Sequence, residues 1–306
     1  MTQAPLPLTD DGSIAAVFEA SKNWGRWGDD DGKGTLNLIT PAKRVEAAGL
    51  VRSGRSLSLA QPLSKHASVK NPRPITHLTA FESHQPRAMI DYFGMVPHGF
   101  SVTHLDAIGH VFFEDTLYNG HRAADVCSKS DGLLECSIYA QREGIFTRGV
   151  LLDVAAARGV EWLEPDAYVT VADLEAAEAH GGVEVSSGDA LLVRVGRDAC
   201  EEARGVGDQA QRAGLDAAAV GWLHERDIAV FGGDCIERMP YPSERFPVPL
   251  HQIGCVAMGL VLLDTPLVED LARACAEQGR FEFLLTCAPL PIPGGTGSPV
   301  NPLAVF

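Results

Sequence analysis

Four short apolar runs constrain this chain most: GVLLDVAA at 149–156, DALLVRVG at 189–196, DIAVFGGD at 227–234 and CVAMGLVLLD at 255–264. Each is too short for a long helix and rich in β-branched or aliphatic residues, so each reads as a buried strand. Helical segments fit between and after them. TVADLEAAEAHGG begins with Thr170 as a capping residue, and PLVEDLARACAEQG follows Thr265 with Pro266 at its first position. Strands alternating with helices predict an α/β fold. No repeat and no break in composition divides the 306 residues, so a single domain over 14–306, preceded by a flexible arm at 1–13, is the simplest organisation.

The flanking segments add detail. Residues 14–21 read as a short helix, PAKRVEAAGLV from Pro41 as another, 55–63 as a strand, and FEFLLTCAPLPI as the last strand before a GGTGSPVNP tail. The Pro-containing stretch 70–99 reads as a long loop excursion.

Charge excludes some functions. With 25 Lys and Arg against 40 Asp and Glu the formal charge is −15, and no basic stretch offers a footprint for nucleic acid or an anionic membrane. No apolar run is long enough for a membrane span, and the first residues lack a secretory pattern, so a cytoplasmic protein is expected. The 7 cysteines never form a C-x-x-C pair and are expected as reduced, buried side chains.

The chemistry concentrates in FSVTHLDAIGH at 100–110. On a strand, His104 and Asp106 point to the same side; on a helix they would stand about 200° apart. The extended reading lets an imidazole and a carboxylate grip one divalent cation, with His110 swinging in after Gly109. Nitrogen and carboxylate donors together suit Zn²⁺, Mn²⁺ or Fe²⁺ better than Ca²⁺ or Mg²⁺. Such an ion polarises a carbonyl and makes hydroxide available near neutral pH, and a neighbouring neutral histidine can carry the proton. Further ligand candidates are His251 and Gln252 in PVPLHQIG, and Asp264 at the end of LLD; each also fits a purely structural role. Trp24 and Trp27 fit either an aromatic substrate pocket or packing anchors. Tyr118 and Asn119 fit either a ligand contact or an Asn-Gly turn.

Other patterns fail on their chemistry. DDDGKGT at 29–35, taken as a calcium loop from Asp29, puts Thr40 where a bidentate Glu is needed. No G-x-S-x-G is present for a serine nucleophile, and His224-Glu225 lacks the second histidine of a zincin helix.

Thr103-His104-x-Asp106-x-x-x-His110 resembles the core of the H-x-G-T-H-x-D-x-x-x-H motif of the metal-dependent cyclase family, which includes kynurenine formamidases and isatin hydrolases. The Trp24/Trp27–Gly–Asp–Gly–Thr–Leu–Asn37 opening, Tyr118-Asn119-Gly120, GGD at 232–234 and the GGTGSPVNP tail extend the resemblance from about residue 20 to the end. It implies a β/β/α fold with a central mixed sheet, a homo-oligomer (dimer or tetramer), and hydrolysis of cyclic or acyl C–N bonds, or of a lactone, in a small carbonyl substrate. It implies His104 and Asp106 as metal ligands and His110 as general acid/base, with His251 and Asp264 completing the site and Gln252 a further candidate. One departure is plain: the motif's first histidine falls at Phe100, which cannot bind a metal. One Mn²⁺ or Zn²⁺ is therefore expected rather than two, with His98 or His84 as possible replacements. The alternatives are a metal-dependent lyase or cyclase, and a non-catalytic small-molecule binder.

Overall fold

A computed structural model describes residues 7–83 and 87–306. His84 lies outside the described residues. The architecture is a single α/β domain around a nine-stranded mixed sheet. Its order is Ser56–Ser58, Leu303–Val305, Glu282–Cys287, Ile145–Asp153, Ala190–Arg194, Val230–Gly233, Val261–Asp264, His104–Asp106, Gly297–Pro299. The four strands from Ile145–Asp153 to Val261–Asp264 run parallel, and both flanks of the sheet are antiparallel.

Those central strands are the apolar runs of the sequence. They are fully buried, with Leu151, Leu192, Val230 and Leu263 all at 0 % exposure. Burying each such side chain contributes about 1.5–3 kcal/mol. Because side chains alternate, a slip of one residue would move every inward group to the other face, so the hydrophobic pattern fixes the register. Apolar clusters cover both faces of the sheet, as parallel strands require.

The helices begin where their caps are. Thr170 closes a reciprocal capping box with Asp173 ahead of Val171–Gly181, and Thr40 caps Pro41–Ala48, each cap contributing about 1 kcal/mol. The first helix spans Asp11–Ala20, three residues earlier than the sequence predicts, because Asp10 accepts a hydrogen bond from the Ser13 amide at 2.8 Å. The predicted arm at 1–13 is therefore corrected at its inner end. Its first six residues lie outside the described residues.

Other boundaries move for identifiable reasons. CVAMGLVLLD is not one strand: Leu250–Met258 is a π-helix, Gly259 turns left-handed at φ 66°, and the strand begins at Val261. A short apolar run cannot by itself distinguish a buried helix from a strand. The helix expected from Pro266 begins at Glu269. Glu282–Cys287 is not the last strand, since two three-residue strands follow it. Within 70–99 the chain forms an antiparallel ribbon, Thr76–Phe81 with Met89–Gly94, rather than a plain loop. Among the described residues no helix is long and apolar enough to cross a membrane.

Candidate metal centre

The strand His104–Asp106 is short but sits where the sheet turns antiparallel. Thr103 anchors it: its hydroxyl donates to the Thr265 carbonyl at 2.9 Å and accepts the Gln61 amide at 2.9 Å. Alternation sends Leu105 into the core at 0 % exposure and turns His104 and Asp106, each at 1 %, to the opposite side. Asp264 is paired directly across from His104. Residues directly opposite in an antiparallel pair share a face, so Asp264 joins the same side.

The three side chains converge. His104 Nε2 lies 3.4 Å from Asp106 Oδ1 and 3.8 Å from Asp264 Oδ2. One ligand atom from each lies within 4.8 Å of the other two. His251 arrives from the first turn of the π-helix, with Nε2 3.9 Å from Asp106 Oδ2 and 3.8 Å from Asp264 Oδ2. The second nitrogen of each imidazole is already engaged. His104 Nδ1 donates to the Val102 carbonyl at 2.7 Å, and His251 Nδ1 donates to the Glu237 carboxylate at 3.0 Å. That fixes the tautomers that leave both Nε2 lone pairs facing the carboxylates, the arrangement metal-binding histidines need.

The electrostatics fit a cation. Asp106, Asp264 and Glu237 are buried carboxylates, and buried charges must be paired or bind metal. Burial opposes protonation of His104, yet its hydrogen bond to Asp106 and the charges of Asp264 and Asp106 outweigh burial and raise its pKa from 6.5 to about 9. Burial likewise opposes a charge on His251, and the Glu237 and Asp264 carboxylates outweigh it, raising its pKa well above 6.5. Asp106 moves the other way. Burial disfavours its charge, but hydrogen bonds from His104 and His98 hold it well below the usual carboxylate range. Two nitrogen and two carboxylate donors suit Zn²⁺ or Mn²⁺, so the residues present fit the expected ion.

His98 stands beside Asp106. Its Nδ1 donates to Asp106 Oδ1 at 2.9 Å, and its Nε2 accepts from the Thr296 hydroxyl at 3.0 Å. The bond to Oδ1 orients the Asp106 carboxylate, and His98, Asp106 and His110 also offer one ligand atom each within 4.8 Å of one another. The His98 ring stacks on that of His110, with centroids 3.8 Å apart and planes within 2°. The tail shapes this contact, because a Cβ on Gly297 would lie 2.6 Å from His98 Cε1. His98→Ala is expected to weaken Mn²⁺ or Zn²⁺ binding by about 10–100-fold without lowering the melting temperature markedly. Competition against a chelating dye measures it, and unchanged affinity would remove the positioning role.

His110 lies in the cleft with its ring against His98, and among the described residues no hydrogen bond holds its ring nitrogens. Burial, with the neighbouring His98, His251 and His104 charges, lowers its pKa below 6.5 against the pull of Asp106. It is therefore neutral at pH 7. The cleft has a volume of about 260 Å³, and Phe100, Ile236, Met239 and Val248 give it an apolar wall.

Five sequence candidates go elsewhere. The Gln252 amide is engaged with backbone, donating to the Arg245 carbonyl at 3.1 Å and accepting the Val248 amide at 3.2 Å. Trp24 donates from its indole to the Val256 carbonyl at 2.8 Å, packs on Gly120 and lies under the Lys22 ammonium. Trp27 stacks with Arg26. Tyr118 is fully buried with its hydroxyl near Asn23 and Asp31, and the Asn119 amide ties down the backbone of Gly25, Gly28, Asp29 and Asp31. Trp24, Tyr118 and Asn119 thus tie down the Gly- and Asp-rich loop, and none of the four lines the cleft. Sequence reasoning missed Glu237. Its signal was an acid beside Arg238 in the short CIERM run, now buried completely beneath His251.

Comparison with known proteins agrees with this geometry. A family model described as "Putative cyclase" matches residues 57–237, more than half of the chain. A crystal structure described as a novel cyclase aligns with a TM-score of 0.82 at 32% identity, over 93% of this chain and 99% of that one. Isatin hydrolase A from Labrenzia aggregata, bound to benzyl benzoate, aligns with a TM-score of 0.60 at 20% identity, over 84% and 94% of the two chains. Isatin hydrolase A from Ralstonia solanacearum gives 0.57 at 22% identity, over 86% and 96%. At those identities the two hydrolases share the fold alone. A search of curated proteins found no match. By its family match and its likeness to the cyclase structure, this chain belongs to the cyclase family.

Proposed function

We propose that the chain is a metal-dependent hydrolase that opens an amide, lactam or lactone bond in a small carbonyl substrate. The observation that carries this reading is the convergence of His104, Asp106, Asp264 and His251 in a cleft that also holds a neutral, unengaged imidazole at His110. His104, Asp106, Asp264 and His251 would hold one Mn²⁺ or Zn²⁺. When bound, such an ion supplies Lewis acidity, polarising a carbonyl oxygen and bringing the pKa of water from about 15.7 towards about 7.

The rest of the chemistry belongs to the protein. His110 takes the proton from the attacking water at a ring nitrogen and returns it to the leaving nitrogen or oxygen. His98 holds Asp106, and Glu237 holds His251 in the tautomer the site requires. Phe100, Ile236, Met239 and Val248 exclude water from the substrate's apolar part. The isatin hydrolases of the same fold support a cyclic amide as the substrate class.

Elemental analysis of the purified protein should find about one divalent ion per chain, and His104→Ala should lose metal and activity together. Turnover in ¹⁸O-water should place the label in the product. Unlabelled product would instead support a lyase or cyclase acting on a carbonyl compound. A protein that binds no divalent ion at neutral pH would defeat the reading.

A further inference from the structure

Arg212 is a cation in an unusual position. It is only 4 % exposed, and among the described residues no carboxylate lies within ion-pair distance of it. Its Nε donates to the Gln209 carbonyl at 3.0 Å and its Nη2 to the Gln209 side-chain oxygen at 3.1 Å. The guanidinium carbon lies over Phe100, 3.2 Å from the ring centroid. A ring face attracts a cation but does not neutralise it. Buried charges normally find a counter-charge, so the absence of one here is informative.

A place for that counter-charge exists. Arg212 lines a cavity of about 240 Å³ between the helix Arg197–Arg204 and the loop 205–213. Leu163, Val195, Val206 and Ala213 form its apolar walls. Its other cations are already matched: Arg197 pairs with Glu201 at 3.0 Å, and Arg204 with Glu164 at 2.7 Å. Two carboxylates also line the cavity: Glu201, already shared by Arg197, Lys70 and the Gln209 amide, and Asp208, which is exposed. This cavity and the metal cleft share no lining residue. The Phe100–Arg212 stack stands between them, with Phe100 on the cleft side and Arg212 on the other.

We propose that this cavity binds a small organic anion, a carboxylate carried on an apolar or aromatic body, through the end of the Arg212 guanidinium that Gln209 leaves free. Arg matches a carboxylate with two parallel hydrogen bonds, and the apolar walls accept the remainder of the ligand. The site does not depend on the metal reading, since its residues and its cavity are separate from the cleft.

Phenylacetate, titrated by calorimetry into the metal-free full-length chain, tests it. Saturable binding at one site per chain is expected, with at least a tenfold weaker affinity in Arg212→Met. His104→Ala should bind phenylacetate as the wild type does, because the cleft is not involved. Phenylacetamide, the neutral isostere, should bind at least tenfold more weakly to the wild type, a comparison that holds even if Arg212→Met fails to fold. Absence of saturable binding, equal affinity for acid and amide, or loss of binding in His104→Ala would each overturn the proposal.

Discussion

His110→Ala should keep its full complement of metal and lose turnover by about 10²- to 10⁴-fold, the range that a positioned proton carrier contributes. The reason lies in its ring, one ligand atom of which comes within 4.8 Å of Asp106 and His98 while no hydrogen bond holds its nitrogens among the described residues. His104, Asp106, Asp264 and His251 converge without it, whereas the His110 ring stands against His98 with its nitrogens unengaged. Burial keeps it neutral at pH 7, the state that accepts a proton. Parallel measurement of metal content and kcat checks the separation. A variant that loses its metal would move His110 into the ligand set. A variant with wild-type kcat would remove it from the chemistry.

Metal affinity should fall steeply with acid, by about tenfold for each proton that binding must displace per pH unit. Without metal, His104 is held protonated up to about pH 9 by Asp106 and Asp264, and His251 well above its ordinary value by Glu237 and Asp264. The sign follows: a raised pKa means the proton occupies the nitrogen at neutral pH, so a cation must expel it. Affinity therefore rises as pH increases towards about 9, where His104 loses its proton. From His104 alone, the change between pH 6 and pH 8 is about 100-fold, and His251 steepens it further. Dye competition across that range, with calorimetry in buffers of different ionisation enthalpy to count released protons, would show it. A flat affinity from pH 6 to pH 8 would mean the two histidines are not ligands.

Part of this site could be read from the residues alone. Alternation along a strand was enough to put His104 and Asp106 on one side, and the structure keeps them there, although the strand covers only His104–Asp106. Pro41 at a first helical position and Thr170 as a cap placed the starts of two helices. The apolar runs identified the central strands, but CVAM turned out helical, because burial on all sides removes the periodicity that separates the two states.

What the sequence determined by itself was local: which residues alternate, where helices start, and that an imidazole and a carboxylate share a face. The tertiary structure alone decided the company they keep. Asp264 joined through its pairing with His104, His251 through a π-helix, Glu237 from beneath, and His98 from the loop, while Gln252 and the tryptophans were drawn into other contacts. The physical reason is that periodicity reports the direction of a side chain relative to its own backbone. The neighbour it meets depends on strand order and register, set by the packing of segments more than 150 residues apart in the chain.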